Sequence, residues 1–273
     1  MSGGNVKKTF ATRSFVDKIA SSLMIDPSTI YRELPHLDAD SIQTGSPKDL
    51  SPNLDLSGYI DHTLLKPNAT VSSVKKICEE ANQYKFATVC VNSCNTTLVK
   101  QFLNQSIGVA VVVGFPLGQA HTNVKMEEAK TAVQEGATEL DMVLNYARLL
   151  DKDYKYVYDD VSSVVGVIGD VILKVIIETS QLQDEDIIAA CIICVLAGAH
   201  YVKTSTGFVG DGAQQDTFAL MKAVVGDKVK LKSSGGIRDR ETALKFISIG
   251  ADRIGTSSGV GIVKNNQSVQ EGY

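Results

Sequence analysis

No stretch of this 273-residue sequence holds about eighteen consecutive apolar residues, so no membrane-spanning helix and no membrane partner is expected. It also has no cluster of basic residues of the kind that tracks a nucleic-acid backbone. The 27 Lys and Arg are outnumbered by 31 Asp and Glu, for a net charge of -4. A nucleic-acid partner is therefore not expected, and an anionic substrate must be captured by local groups rather than by the field of the whole protein. Metal-binding patterns are missing too. The four histidines (His36, His62, His121, His200) are scattered, and Cys191 and Cys194 have no second cysteine pair to complete a zinc site. With Cys78, Cys90 and Cys94 the cysteines number five. An odd count without a recognisable secretory signal leads to the expectation of reduced thiols in the cytoplasm. The C-x-x-C lies within 186–198, an almost wholly apolar stretch that reads as a buried helix, so core packing is the expected role of both thiols.

What is present is the composition of a folded enzyme, with 44% hydrophobic and 21% charged residues. Residues 1–57 stand apart. Phe10, Phe15, Ile19 and Leu23 have the spacing of an amphipathic helix, followed by polar, proline-containing sequence through Pro52. Lys7, Lys8 and Arg13 precede the first acid, Asp17, which raises a transit-peptide reading; a docked or mobile extension fits this short stretch better. From residue 58 the pattern becomes regular. Apolar, β-rich runs at 59–61, 86–92, 108–113, 139–143, 171–178, 201–204, 229–233 and 252–255 alternate with helical patterns such as 72–84, 123–135, 184–196, 215–225 and 240–249. Eight strands, most of them trailed by a helix, predict an α/β protein of the (β/α)8 TIM-barrel class over 58–264. The N-terminal extension is expected to be partly helical, and 265–273 to form a mobile tail.

In such a barrel the chemistry sits at the C-terminal ends of the strands, and strand interiors are normally branched and apolar. Lys174, Lys203, Lys232 and Asp141 break that rule, and two-residue alternation assigns each to one face of its strand. Lys230 shares the face of Lys232 but reads as a solvated strand end. Unpaired charges inside a barrel are costly unless they pair or neutralise. Lys203 and Lys232 fall on neighbouring strands, about 4.8 Å apart backbone to backbone. A second ammonium at that range, together with desolvation, disfavours protonation of the first and leaves the neutral amine that attack on an aldehyde requires. Asp141 is placed to move protons through a water. Gly207, the pair Gly235 and Gly236, and the run from Gly255 through Thr256, Ser257 and Ser258 to Gly259 follow the sixth, seventh and eighth strands. Loops at these positions form the usual phosphate cradle of the fold.

These segments carry a resemblance. Tyr-Ile-Asp-His-Thr-Leu-Leu-Lys-Pro (59–67), Ala-Thr-Val-Cys-Val-Asn (87–92), Val-Gly-Phe-Pro-Leu-Gly (113–118) and Glu-Leu-Asp-Met-Val (139–143) belong to the set. It continues with Lys-Val-Ile-Ile-Glu-Thr (174–179), Val-Lys-Thr-Ser-Thr-Gly (202–207) and Lys-Ser-Ser-Gly-Gly-Ile-Arg (232–238). Over about residues 58–264 the chain resembles the deoxyribose-phosphate aldolase family. The resemblance implies reversible cleavage of 2-deoxy-D-ribose 5-phosphate to acetaldehyde and glyceraldehyde 3-phosphate, without a cofactor or metal, by a homo-oligomer (dimer or tetramer). It implies Lys203 as the Schiff-base lysine, Lys232 as the lysine that lowers its pKa, and Asp141 as the proton-moving carboxylate. Asp61, Thr63, Cys90, Lys174 and Thr206 are implied as substrate-binding, and Gly207, Gly235, Gly236, Ser257 and Ser258 as the phosphate cradle. Some members end in a tyrosine that reaches the active site, which points to Tyr273. Phe208 departs from members with a lysine at that position and removes a side-chain cation from the phosphate end. Two other readings compete. A barrel that binds without turnover should have lost a reacting group, and none is missing. A sugar-phosphate isomerase or lyase needs a carboxylate base but no paired lysines.

Overall fold

The computed structural model describes residues 9–11, 13–39, 41–51 and 53–265. Eight parallel strands close into a barrel: β3 (Ile60–Leu64), β4 (Thr88–Val91), β5 (Gly108–Val113), β6 (Glu139–Val143), β7 (Ile172–Ile176), β8 (Tyr201–Lys203), β9 (Lys230–Ser234) and β10 (Arg253–Thr256), the last pairing back onto β3. The outer ring is α3 (Val71–Tyr84), α4 (Thr96–Phe102), α5 (Thr122–Gln134), α6 (Tyr146–Leu150), α7 (Tyr154–Val165), α8 (Asp184–Leu196), α9 (Gln215–Val225), α10 (Arg240–Ile249) and α11 (Gly259–Lys264). Helix starts follow local chemistry. The Thr70 hydroxyl accepts from Ser73 N–H at 3.3 Å to open α3, and Asp239 accepts from Thr242 N–H at 2.8 Å to open α10. Three acids in the first turn of α8 favour the positive end of its dipole. In the run 171–178 the regular strand ends at Ile176, although Ile177 N–H still donates to the Lys203 carbonyl at 3.0 Å, and Glu178 then turns the chain with φ 55°.

Residues 13–39 and 41–51 are docked on the outside of this ring. The amphipathic spacing continues from α1 (Arg13–Leu23), which buries Val16, Ile19, Ala20 and Leu23 and packs on α7. Phe10 belongs to a short strand instead, β1 (Thr9–Ala11), paired antiparallel with β2 (Ser41–Gln43). The polar stretch that follows hides a second helix, α2 (Pro27–Glu33), opened by Asp26 accepting from Ser28 N–H at 2.8 Å. Ile30, Leu34, Leu37 and Ile42 are buried in the same hydrophobic core as the barrel helices. Polar ties fix the path: His36 Nε2 lies 2.8 Å from the Val224 carbonyl, Lys228 pairs with Glu33 at 2.6 Å, and Lys48 N–H donates to the Ser248 carbonyl at 2.8 Å.

Helix α8 explains why this docking is needed. From Asp186 through Val195 every residue of it is buried, Cys191 and Cys194 included. A helix that is apolar all round must be covered on both faces. The barrel covers one face, with α7 and α9 alongside, and α2 packs against it too. Among the described residues no helix is long and apolar enough to cross a membrane. Ile30, fully buried on α2, tests the docking. Ile30→Ala is expected to cost about 2–5 kcal/mol in urea unfolding of the intact chain, the usual range for a large-to-small core change. A mobile extension would leave the transition unchanged.

Candidate active site

The barrel interior is divided by chemistry. On one side Cys90, Ala110 and Val112, with Leu65 and the ring of Phe115, form a small apolar cluster separate from the main core. On the other side lies a network of ionisable groups. Lys203 and Lys232 are register neighbours on β8 and β9, and Asp141 and Lys174 are register neighbours on β6 and β7. Both Lys203 Nζ and Lys232 Nζ donate to the same oxygen, Asp141 Oδ2, each at 2.7 Å. Lys232 Nζ also reaches Asp61 Oδ2 at 2.5 Å. Lys174 Nζ takes the other oxygen, Asp141 Oδ1, at 2.8 Å and Glu139 Oε2 at 2.5 Å. Arg253 closes the network, donating to Asp61 Oδ1 at 2.6 Å and Glu139 Oε1 at 3.0 Å.

Four bases thus surround three carboxylates in a site from which water is almost excluded; Lys203 is 3% exposed and Lys232, Lys174, Asp61 and Asp141 are wholly buried. The groups respond differently. Burial lowers the Lys203 pKa below the ordinary lysine value; Asp141 opposes the shift, and Lys232 adds to it. Burial pulls Lys232 in the same direction, but Asp141 and Asp61 hold it well above the usual value. For Asp141 burial works upward, yet Lys174, Lys203 and Lys232 hold its carboxyl well below the usual range. Lys203 is therefore the amine that gives up its proton most readily, because it alone of the two neighbours depends on half of one shared carboxylate. The neighbouring ammonium contributes as expected from the strand spacing, but burial is the larger cause. Burial also pushes the Cys90 thiol up to about 11, so it stays protonated and part of the apolar wall.

Three participants escaped the residue-by-residue reading. Glu139 and Arg253 sit two residues from Asp141 and Gly255 on their own strands, so alternation alone could have found them. Glu178 is different. Its side chain is buried and holds the loop after β8 by accepting from Thr206 N–H at 3.1 Å and Thr206 Oγ1 at 2.5 Å. That role depends on the left-handed backbone at 178, which no local pattern announces. Burial raises the Glu178 pKa. Thr63 lies in register with Cys90 and donates to the Asp61 carbonyl at 2.8 Å. Lys230, by contrast, is exposed, with Nζ 5.8 Å from the centre of the Tyr201 ring. Among the described residues no group of three or more His, Cys, Asp or Glu is arranged to hold a metal ion.

The loops after β8, β9 and β10 share the mouth of the barrel. Gly207, Gly235 and Gly236 adopt φ of 82°, 90° and 78°, a region that favours glycine. At Gly235 space is also short, since its carbonyl oxygen lies 2.6 Å from where a Cβ on Gly212 would stand. Thr204 knits the first two loops, donating to the Ser234 carbonyl and accepting from Ser234 N–H, both at 3.0 Å. In the third loop Ser258 is buried, and its hydroxyl has no hydrogen-bond partner among the described residues; Ser257 is partly exposed beside it. Phe208 packs edge-on against Phe115 with centroids 5.1 Å apart, an apolar contact at the rim. Tyr273 lies outside the described residues.

Known proteins match this chain in sequence and in fold. The family described as DeoC/LacD family aldolase matches residues 57–266. The deoxyribose-phosphate aldolase of Finegoldia magna is 54% identical over 212 residues, covering 77% of this chain and all of that protein. Among solved structures, a deoxyribose phosphate aldolase from Aeropyrum pernix, described as a unique tetramer, superposes with a TM-score of 0.71 at 34% identity, covering 78% of this chain and 91% of its own. A Coccidioides immitis structure, provisionally named a deoxyribose-phosphate aldolase, gives a TM-score of 0.79 at 40% identity over 91% of this chain and 96% of that one, so the likeness reaches into the segment ahead of residue 57. The chain belongs to the DeoC/LacD family of aldolases.

Proposed function

We propose that this protein is a class I aldolase that reversibly cleaves 2-deoxy-D-ribose 5-phosphate to acetaldehyde and D-glyceraldehyde 3-phosphate, with Lys203 forming the covalent bond. The observation that carries the reading is one carboxylate oxygen, Asp141 Oδ2, shared by two buried lysines of which only Lys203 has its pKa lowered. In the cleavage direction the neutral Lys203 amine adds to C1 of the open-chain sugar, and loss of water from the carbinolamine leaves an iminium ion. A base then takes the proton from the C3 hydroxyl. The C2–C3 bond breaks, its electron pair moves into the iminium as an enamine, and C3 departs as the aldehyde carbon of glyceraldehyde 3-phosphate. Protonation of the enamine carbon and addition of water release acetaldehyde and restore the amine. Asp141, held as a carboxylate by three lysines, moves these protons through a water, and Lys232 keeps the positive charge that disfavours a second one at Lys203.

The other assignments belong to the same proposal. Asp61, Thr63, Cys90, Lys174 and Thr206 bind or shape the sugar end, and the apolar arc with Cys90 faces the acetaldehyde-derived carbons. Gly207, Gly235, Gly236, Ser257 and Ser258 receive the phosphate. The unpartnered Ser258 hydroxyl and the bare backbone of adjacent glycine turns support that end. Residues 58–264 carry the chemistry, and Tyr273 on the C-terminal tail exchanges a proton with the enamine carbon. The tetrameric Aeropyrum pernix relative supports self-association as a dimer or tetramer; the cytoplasm is the proposed setting.

Borohydride reduction in the presence of acetaldehyde is expected to attach a two-carbon adduct to Lys203, read by mass spectrometry of peptides, while Lys203→Ala yields no adduct, no turnover and a wild-type circular dichroism spectrum. An adduct on Lys232 or Lys174 overturns the assignment. The pH profile has a definite sign. Activity needs the neutral amine, so kcat/KM rises with pH through the lowered Lys203 pKa. Asp141 raises that pKa; Asp141→Asn should therefore shift the acid limb of Schiff-base trapping to lower pH, while cleavage falls by about 10²–10⁴-fold. Cleavage near the wild-type rate would leave Asp141 a structural partner only. Tyr273→Phe should slow proton exchange on the acetaldehyde methyl group far more than it slows trapping.

A further inference from the structure

His62 lies on β3 between the inward-facing Asp61 and Thr63, so its side chain points away from the barrel interior, where an apolar side chain normally meets the helix layer. It is 2% exposed. Nε2 sits 2.7 Å from Glu80 Oε2 on α3, and the ring meets Phe86 edge-on with centroids 4.9 Å apart. Nδ1 has no hydrogen-bond partner among the described residues. Its neighbour on the open side is the backbone of Gly259: a Cβ there would stand 3.0 Å from His62 Nδ1, 2.9 Å from Ile60 Cγ2 and 3.1 Å from Phe86 Cζ. The first turn of α11 therefore rests directly on the imidazole, with no side chain between.

Residue 259 closes the turn that contains Ser257 and Ser258. One tie on that turn is Thr256, the register partner of His62, whose hydroxyl accepts from Ser258 N–H at 2.9 Å and donates to the Ile237 carbonyl at 2.7 Å, joining the loop after β10 to the loop after β9. The other contact is the His62 ring. An imidazole can rotate about its last side-chain bond, a broad torsion. The bond to Glu80 selects one orientation and directs the Nε2 proton at the carboxylate, leaving Nδ1 toward the turn. We infer that the His62–Glu80 pair is a positioning device that sets the Ser257–Ser258 turn and so the enzyme's affinity for the phosphate end of its substrate. The inference rests on the phosphate-cradle reading given above.

The test uses the full chain with His62→Leu, Glu80→Ala and the conservative His62→Gln, which can still reach Glu80. Three quantities are measured: KM and kcat for 2-deoxyribose 5-phosphate, kcat/KM for unphosphorylated 2-deoxyribose, and the inhibition constant of inorganic phosphate. His62→Leu and Glu80→Ala should raise both the KM for the phosphorylated sugar and the phosphate inhibition constant roughly tenfold, within the about 10²-fold that a misplacement of ~1 Å can cost. The unphosphorylated sugar and borohydride trapping at Lys203 should stay near wild type, and His62→Gln should recover most of the loss. Equal losses with both sugars, or no loss in either variant, overturn the inference. Glu80 is partly exposed on α3, so Glu80→Ala decides if His62→Leu does not fold. A wild-type protein that neither prefers the phosphorylated sugar nor is inhibited by phosphate overturns the cradle reading itself, before any variant is measured.

Discussion

The interior of this barrel depends on the sharing of Asp141. One of its oxygens serves Lys203 and Lys232 and the other serves Lys174, so a single carboxylate offsets charge from three strands. Asp61 and Glu139 complete the set with Arg253, and the bases still exceed the acids by one. In a medium that screens little, that excess is relieved when one base sheds its proton. Lys203 has the weakest hold on an anion, since Lys232 also owns a bond to Asp61 and Lys174 one to Glu139. The lowered pKa of Lys203 thus follows from burial and from charge balance across the whole network rather than from one neighbour alone. Lys232 and Lys174, each with a second carboxylate, have theirs raised instead.

The opposite half of the interior has the complementary property. Cys90, Ala110 and Val112 offer no strong donors, and burial keeps the Cys90 thiol in its uncharged, protonated form. The loops that complete the mouth are tied to one another through Thr204 and Thr256, and Glu178 holds Thr206 from a left-handed backbone conformation that costs free energy wherever a side chain adopts it.

Outside the ring, the extension ahead of residue 57 and the apolar helix α8 are two halves of one requirement. α8 is buried from Asp186 through Val195, and α2 packs on it; in return Ile30 of α2, and Leu34 just after it, find apolar partners that so short a helix cannot provide by itself. The matched length of the Coccidioides immitis structure fits a barrel that carries this covering as part of its fold.

Much was legible locally. Strand and helix periodicity located the eight barrel strands and five of the ring helices, since a strand repeats every two residues and a helix every 3.6 whatever lies nearby. Alternation also singled out Asp141, Lys174, Lys203 and Lys232, because a charged side chain on an otherwise apolar face is visible in the sequence itself. Composition concealed α2, a short helix with few apolar residues that is helical only because α8 needs a cover. Tertiary structure decided the rest. It set which lysine holds its proton least firmly, which depends on distances among residues on six strands; it brought Arg253 and Glu139 into the network; and it laid His62 beneath a turn nearly two hundred residues away along the chain. Periodicity is a property of neighbours in sequence, whereas charge balance and close contact are properties of neighbours in space, and only the closed barrel makes the second from the first.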